Sequence, residues 1–214
     1  MNPELREQMR AVLEGWGLSL DEEQRTLLDN YSRDVLEYNR RVNLTAAREE
    51  SEIVRRHLLD ALAGVPVLRK HSPASPKIAD VGAGGGFLGI CLKIAWPQAE
   101  VTLIESVYRK YRFLNWSAMR LGLRGLRVLH ARAGTQRGFD VVTARAVAPL
   151  PELLPWALPM GRRLALWQSE AASEPGNAQV LREKGARVEE DHPYRLPGEE
   201  RDRHIVIVQQ ESAS

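Results

Sequence analysis

Ile78-Ala79-Asp80-Val81-Gly82-Ala83-Gly84-Gly85-Gly86-Phe87-Leu88-Gly89-Ile90, followed by Val101-Thr102-Leu103-Ile104-Glu105, decides the fold of this chain. It reads as a buried strand, a glycine turn, the start of a helix, a second strand and a carboxylate at that strand's tip. Glycines in the turn let the backbone approach a ligand, and the helix that follows presents free N–H groups to it. An acid at the end of the next strand can accept hydrogen bonds from ribose hydroxyls. The layout is that of an adenosine-cofactor site in an α/β domain.

Two cofactors compete for the same glycines. Gly84 to Gly89 fits G-x-G-x-x-G, the dinucleotide fingerprint, with Glu105 following 21 residues after Gly84. Asp80 to Gly86 also fits D-x-G-x-G-x-G, a turn typical of S-adenosylmethionine-dependent methyltransferases. The acid on the first strand favours the second. A carboxylate is unwelcome beside a pyrophosphate but suits a donor that carries an ammonium and a sulfonium.

Outward from this stretch, strand and helix signals alternate. Strands are expected at 77–81, 100–105, 126–130, 139–144 and 163–167, with helices near 87–95, 108–121, 150–158 and 178–184. Residues 186–190 and 204–209 are consecutive strands, which implies an antiparallel hairpin at the end. The pattern predicts an α/β Rossmann-like sheet of seven strands, mostly parallel, of the class I S-adenosylmethionine-dependent methyltransferase type. Residues 1–75 differ: a helix opened by Asn2-Pro3, a second entered through an Asp21/Gln24 capping box, a loop at Asn43-Leu44-Thr45 and a helix over 52–63. His71 to Pro76 is a linker by composition. Two units are therefore expected, an N-terminal helical cap over 1–75 and a methyltransferase domain over 76–210.

Bulk properties bound the function. With 214 residues, 43% of them apolar, the chain can bury a core. It has no apolar run of the ~20 residues that span a membrane. Its polar, helical N-terminus does not read as a signal peptide, and Cys91 is alone, so no internal disulfide forms. A cytoplasmic location without membrane association is expected. The net charge of +2 does not by itself announce a nucleic-acid partner.

Several segments in order resemble one family. These are EYNRRVNLTAARE (37–49), VRRHLLDAL (54–62), IADVGAGGGFLGICLKI, LIESVYRKYRFL (103–114), TARAV (143–147) and GEERDRHIVIV (198–208). Together they resemble the bacterial 16S rRNA guanine-N7 methyltransferases, also called glucose-inhibited division protein B. The N-L-T and R-H-x-L-D segments are the specific part. The resemblance implies transfer of a methyl group from S-adenosylmethionine to N7 of a guanine in the 530 loop of 16S rRNA, with the 30S subunit as partner and a monomer favoured. It also implies donor contacts from Gly82, Phe87 and Ala133-Gly134, a site arginine at Arg145, and ribose contacts from Glu105. The chain departs from the family pattern at Leu88, Cys91 and Gln168-Ser169, and Ala133-Gly134 lacks the acid often found there. Methylation of another RNA or a small molecule, or a non-catalytic RNA-binding module of the same fold, are the alternatives.

The chemistry needs little machinery. Guanine N7 has an in-plane lone pair and no proton, so its attack on a sulfonium methyl needs no general base. Positioning and electrostatics carry such a step. Candidate donor-site residues are Asp80, Gly82, Gly84, Phe87, Glu105, Ala133, Gly134 and Arg145. Arg145 ends a buried strand where open α/β sheets place ligands, and a structural salt bridge is its alternative role. Candidate RNA contacts are Asn43, Arg55, Arg56, His57, Arg109, Lys110 and Arg112. Asn43 and Thr45 equally suit a turn or cap. His57 and Asp60, three apart on a helix, make a poor metal site, so no metal is expected.

Overall fold

The computed structural model describes residues 1–210. Five helical pieces come first: α1 (Pro3–Gly15), α2 (Glu22–Tyr38), α3 (Glu50–Ile53), α4 (Leu59–Leu62) and α5 (Gly64–Lys70). A π turn, Val54–Leu58, joins α3 to α4. Then come β1 (Lys77–Val81), α6 (Phe87–Ala95), β2 (Glu100–Glu105), α7 (Tyr108–Leu121), β3 (Leu126–His130), β4 (Phe139–Arg145) and α8 (Leu150–Ala157). A short 3₁₀ turn leads to β5 (Gly161–Gln168), α9 (Pro175–Glu183), β6 (Ala186–Tyr194) and β7 (Arg203–Gln210).

The seven strands lie in the order β3-β2-β1-β4-β5-β7-β6. The first five are parallel, and β7 runs antiparallel to both β5 and β6. The sequence-based expectation of a mostly parallel sheet with a terminal hairpin is met. Chain order reverses between β1 and β4, where Val81 is registered with Ala144. Ligands of open α/β sheets bind outside the carboxyl ends of strands at such a switch point.

Alternation along the strands sends side chains to two cores. Ile78, Val101 and Leu103 pack on the face covered by α1–α7, while Ala79, Val81 and Ile104 pack on the face covered by α8 and α9. Every residue of α6 is buried, because this helix lies between the sheet and the N-terminal helices. Cys91 is part of that packing, as expected of a small core residue. Residues of α1 to α5 share one continuous core with this side of the sheet.

The N-terminal helices start as their sequences dictate. Asn2 accepts from Leu5 N–H at 2.8 Å, and Asp21 and Gln24 form a complete capping box. Gln24 also donates to the Ile94 carbonyl at 2.9 Å, tying α2 to the end of α6. Helix α5 lies beyond Ala63, where the sequence pattern predicted no helix. Gly64 permits it, since any Cβ there would run into the Trp167 ring.

Candidate active site

A cleft of about 890 Å³ opens at the switch point. Its floor is the end of β1 with the glycine turn. Gly82, Gly84 and Gly86 have φ of +61°, +60° and +83°, which L side chains rarely adopt. Tyr31, fully buried on α2, donates its hydroxyl to the Gly85 carbonyl at 2.6 Å and fixes the turn from behind. Glu105 fixes it from the side: Oε2 accepts from Gly84 N–H at 2.8 Å and Oε1 from Val107 N–H at 2.6 Å. Each Glu105 oxygen keeps a lone pair for a further donor.

Asp80 lines the cleft and is 2% exposed. Its Oδ2 accepts from Gly89 N–H at 2.9 Å, and the Thr143 hydroxyl lies 3.2 Å from Oδ1. Burial raises its pKa to about 6, against the pull of those two donors and of Arg145. Asp80 is thus largely ionised at neutral pH and ready to pair with a cation.

The opposite wall is made by residues far apart in sequence. Arg145 leaves the end of β4 and places Nη1 2.5 Å from Asp60 Oδ2. The other Asp60 oxygen accepts from the Tyr194 hydroxyl at 2.6 Å and from Arg203 at 2.9 Å. The Asp60 carbonyl accepts from the Trp167 indole at 2.8 Å. Arg203 in turn pairs with Glu199. One buried carboxylate therefore gathers two guanidiniums and a phenol, and burial together with the Asp60 charge holds the Tyr194 phenol well above its usual pKa.

His57 bridges this wall to the glycine turn. Its ring stacks on Phe87 with centroids 4.1 Å apart and an interplanar angle of 16°. Nδ1 faces Arg145 at 3.5 Å, and Nε2 lies 2.6 Å from Thr45 Oγ1. Burial, then the nearby Arg145 charge, lowers its pKa to about 4, so the imidazole is neutral at physiological pH. A guanidinium cannot accept, so Nδ1 is the acceptor and the proton sits on Nε2, directed at Thr45. Thr45 Oγ1 also accepts from Ala47 N–H at 3.1 Å, which leaves its own proton free. The π turn that carries His57 is a rare feature that recurs at functional sites. Beside Arg145, Ala146 adopts φ +52°, a strained conformation for a side-chain-bearing residue at the cleft rim.

The family model for rRNA small subunit methyltransferase G matches residues 24–206. The chain is 40% identical over 205 residues to ribosomal RNA small subunit methyltransferase G of Roseiflexus sp. (strain RS-1), covering 90% of this chain and 86% of that one. It is 34% identical to the protein of the same name from Ligilactobacillus salivarius, covering 96% and 90%. The chain belongs to the rRNA small subunit methyltransferase G family. Among solved structures, magnesium protoporphyrin IX methyltransferase from Synechocystis PCC 6803 superposes with a TM-score of 0.63 at 14% identity, covering 85% of this chain and 97% of that one. A ribosomal protein L11 methylase from Lactobacillus delbrueckii subsp. bulgaricus gives 0.56 at 16% identity, covering 73% and 79%. These two likenesses concern the fold. Membership in a methyltransferase family decides between the two readings of the glycine turn, and S-adenosylmethionine is the cofactor.

In this chain the cleft brings together Thr45, His57, Asp80, Gly82, Gly84 and Phe87 with Arg145. Leu88, Gln168 and Ser169 also line it. Other expected residues lie outside this lining, among them Glu105, which is 5% exposed beside the turn. Ala133 packs against the second core and Gly134 against Trp156, neither of them lining the cleft. Asn43 is exposed on the loop before the cleft, and Arg55 is exposed on the π turn, where Arg56 reaches the rim. Arg109, Lys110 and Arg112 are on α7, away from the cleft lining. Sequence reasoning missed Asn39. Its amide donates to the Thr45 and Ala47 carbonyls at 2.9 and 3.0 Å and accepts from Leu44 and Thr45 N–H at 2.8 and 3.1 Å. That one side chain shapes the whole N-L-T loop. An asparagine just past a helix pattern was its only signal.

No described helix is long and apolar enough to cross a membrane.

Proposed function

We propose that this chain transfers a methyl group from S-adenosylmethionine to N7 of a guanine in the 530 loop of 16S rRNA, acting on the 30S subunit in the cytoplasm. The observation that carries the reading is the meeting, in one cleft, of the glycine turn with the Thr45–His57–Arg145 wall. Family membership supports small-subunit rRNA as the substrate, and the chemistry of N7 supports the target atom.

The donor supplies an electrophilic methyl on a sulfonium. Asp80 fits it as the counter-charge, and the two Glu105 oxygens fit its ribose hydroxyls. Backbone groups of the glycine turn leave room for close approach. The chain's own residues then do what an in-line displacement requires. Phe87, held flat under His57, presents an apolar surface beside the reacting centre. Neutral His57 cannot repel the donor's positive charge. Arg145, clamped by Asp60, offers its outer N–H groups to guanine O6, to a phosphate or to the donor's carboxylate, and not to N7, which must keep its lone pair. No group in the cleft has to take a proton. Residues 1–75 act here as one wall of the catalytic site, since the N-L-T loop and His57 come from them.

The test is transfer of a labelled methyl group to 30S subunits from cells lacking this gene, with strand cleavage at N7-methylguanine to map the label. A single cut in the 530 loop supports the full reading. Label at another nucleotide keeps the methyltransferase and discards the target. Arg145→Ala is expected to lower turnover by at least tenfold with an intact fold, and unchanged turnover would remove Arg145 from the mechanism.

A further inference from the structure

Residues 106–138 contain eight arginines and lysines and no aspartate or glutamate, whereas the rest of the chain carries 22 bases against 28 acids. The segment is one piece of structure: the loop after β2, helix α7, edge strand β3 and the loop toward β4. A chain of net charge +2 has concentrated its positive charge at one edge of the sheet. Among the described residues, Arg120 is the only one of the eight that pairs with a carboxylate, that of Asp34. Arg137 donates to the Gly134 and Gln136 carbonyls instead.

Three rings gather on this edge. Tyr108 and Tyr111 stack with centroids 6.0 Å apart and planes at 30°. His130 completes the cluster, 5.1 Å from Tyr111 and 5.4 Å from Tyr108. It ends β3 on the same side as Leu126 and Val128, the side that α7 covers, and its Nε2 is tied to the Ser106 carbonyl at 3.1 Å. None of the three rings belongs to either hydrophobic core, and Tyr108 is 57% exposed. None lines the cleft, yet His130 is registered opposite Glu105, so the cluster stands at the same end of the sheet. An exposed Tyr108 beside a half-buried Tyr111, among arginines without carboxylate partners, matches the way proteins hold unpaired nucleotides, by rings that stack on bases and cations that hold phosphates.

We propose that Tyr108, Tyr111 and His130 form a stacking platform for unpaired RNA bases, with Arg109 and Arg112 of α7 holding the adjoining phosphates. The proposal rests on the rRNA-methyltransferase reading and adds a second contact site to it. A strand whose flanking bases stack on this edge is held at the correct end of the sheet while its target base enters the cleft. Stacking tolerates any sequence, so the platform supplies affinity and the cleft supplies selection.

Two unstructured RNA oligonucleotides of about twelve nucleotides, one intact and one abasic with the same phosphates, separate stacking from charge. Binding would be read by fluorescence anisotropy at physiological salt, alongside calorimetry with S-adenosylmethionine. The wild-type chain is expected to bind the intact strand at least about tenfold more tightly than the abasic one. The Tyr108→Ala/Tyr111→Ala variant should lose that preference, Tyr108→Phe/Tyr111→Phe should keep it, and donor affinity should stay within about twofold in both. Equal affinity for the two strands, or no binding of either, overturns the platform. Loss of donor affinity in the alanine variant also overturns it, and assigns the rings to the donor's adenine. A wild-type chain that prefers the intact strand but methylates no rRNA would instead sink the functional reading and leave the platform standing.

Discussion

Arg145 and Asp60 are 85 residues apart in sequence and 2.5 Å apart in space, with the Asp60 carboxylate 1% exposed. The pair joins the end of β4 to the N-terminal helices and aims a guanidinium along the cleft wall. Breaking it by removing one partner leaves buried charge without compensation. Asp60→Asn is therefore expected to cost about 2–4 kcal/mol. The value stays below that of a wholly buried pair because the Arg145 and Arg203 side chains keep 20% and 30% exposure. Tyr194→Phe removes one hydrogen bond and should cost about 1–2 kcal/mol. Urea unfolding reads both, and an Asp60→Asn protein as stable as wild type would mean that the network is not a structural clamp.

Donor affinity should depend on the ionisation of Asp80. Its folded pKa lies near 6, so S-adenosylmethionine should bind more weakly as pH falls through that value, and below it binding should release up to one proton. For stability the sign is opposite. The unliganded folded state holds this proton more tightly than the unfolded chain does, so the Asp80 contribution to stability falls as pH rises from about 4 to about 6. Asp80→Asn should bind the donor poorly and with a flat pH profile across that range. A profile in the variant that still bends near pH 6 would assign the titration to another group.

His57 titrates in the contrary sense. Its folded pKa near 4 lies below that of an unfolded histidine. The unfolded state therefore binds more protons between pH 4 and 6.5, and the His57 contribution to stability is lost as pH falls through that window. The full effect is at most ~3 kcal/mol. His57→Phe, which retains a ring over Phe87, should gain stability relative to wild type as the solution is acidified from pH 6.5 to 4. Parallel pH profiles for the two proteins would refute a neutral, buried imidazole.

Gly86 is the residue of the turn least able to change. At φ +83° a side chain is strained, and a Cβ would lie 2.6 Å from Ile90 Cδ1 and 2.7 Å from Leu114 Cδ2. Gly86→Ala combines a left-handed penalty of about 1–2 kcal/mol with an overpacking cost of about 1–3 kcal/mol. A fall in thermal midpoint with weakened donor binding is the expected outcome. Gly122→Ala is the control: its φ of +63° is similar, but nothing lies within 4 Å of the added Cβ. If the two variants melt together, crowding at Gly86 contributes nothing.

What the sequence determined by itself was local in origin. The glycine turn, the caps at Asn2 and Asp21 and the alternation of strands with helices depend on conformational preferences among near neighbours. The parallel sheet and its reversed final pair follow from that alternation, and with them the location of the cleft at the ends of β1 and β4. The roles of Asp60, Tyr31 and Asn39 were not legible. Tyr31 reaches Gly85 across 54 residues, and Tyr194 and Arg203 reach Asp60 across more than 130. Single polar side chains that meet at such separations leave no periodic trace in the chain. Ala133 and Gly134, singled out for their place after β3, lie outside the cleft lining, with Gly134 beside Trp156. Short-range preferences set where strands and helices form. Only the closed core, by burying charges that must then find partners, decided which carboxylate would hold which arginine.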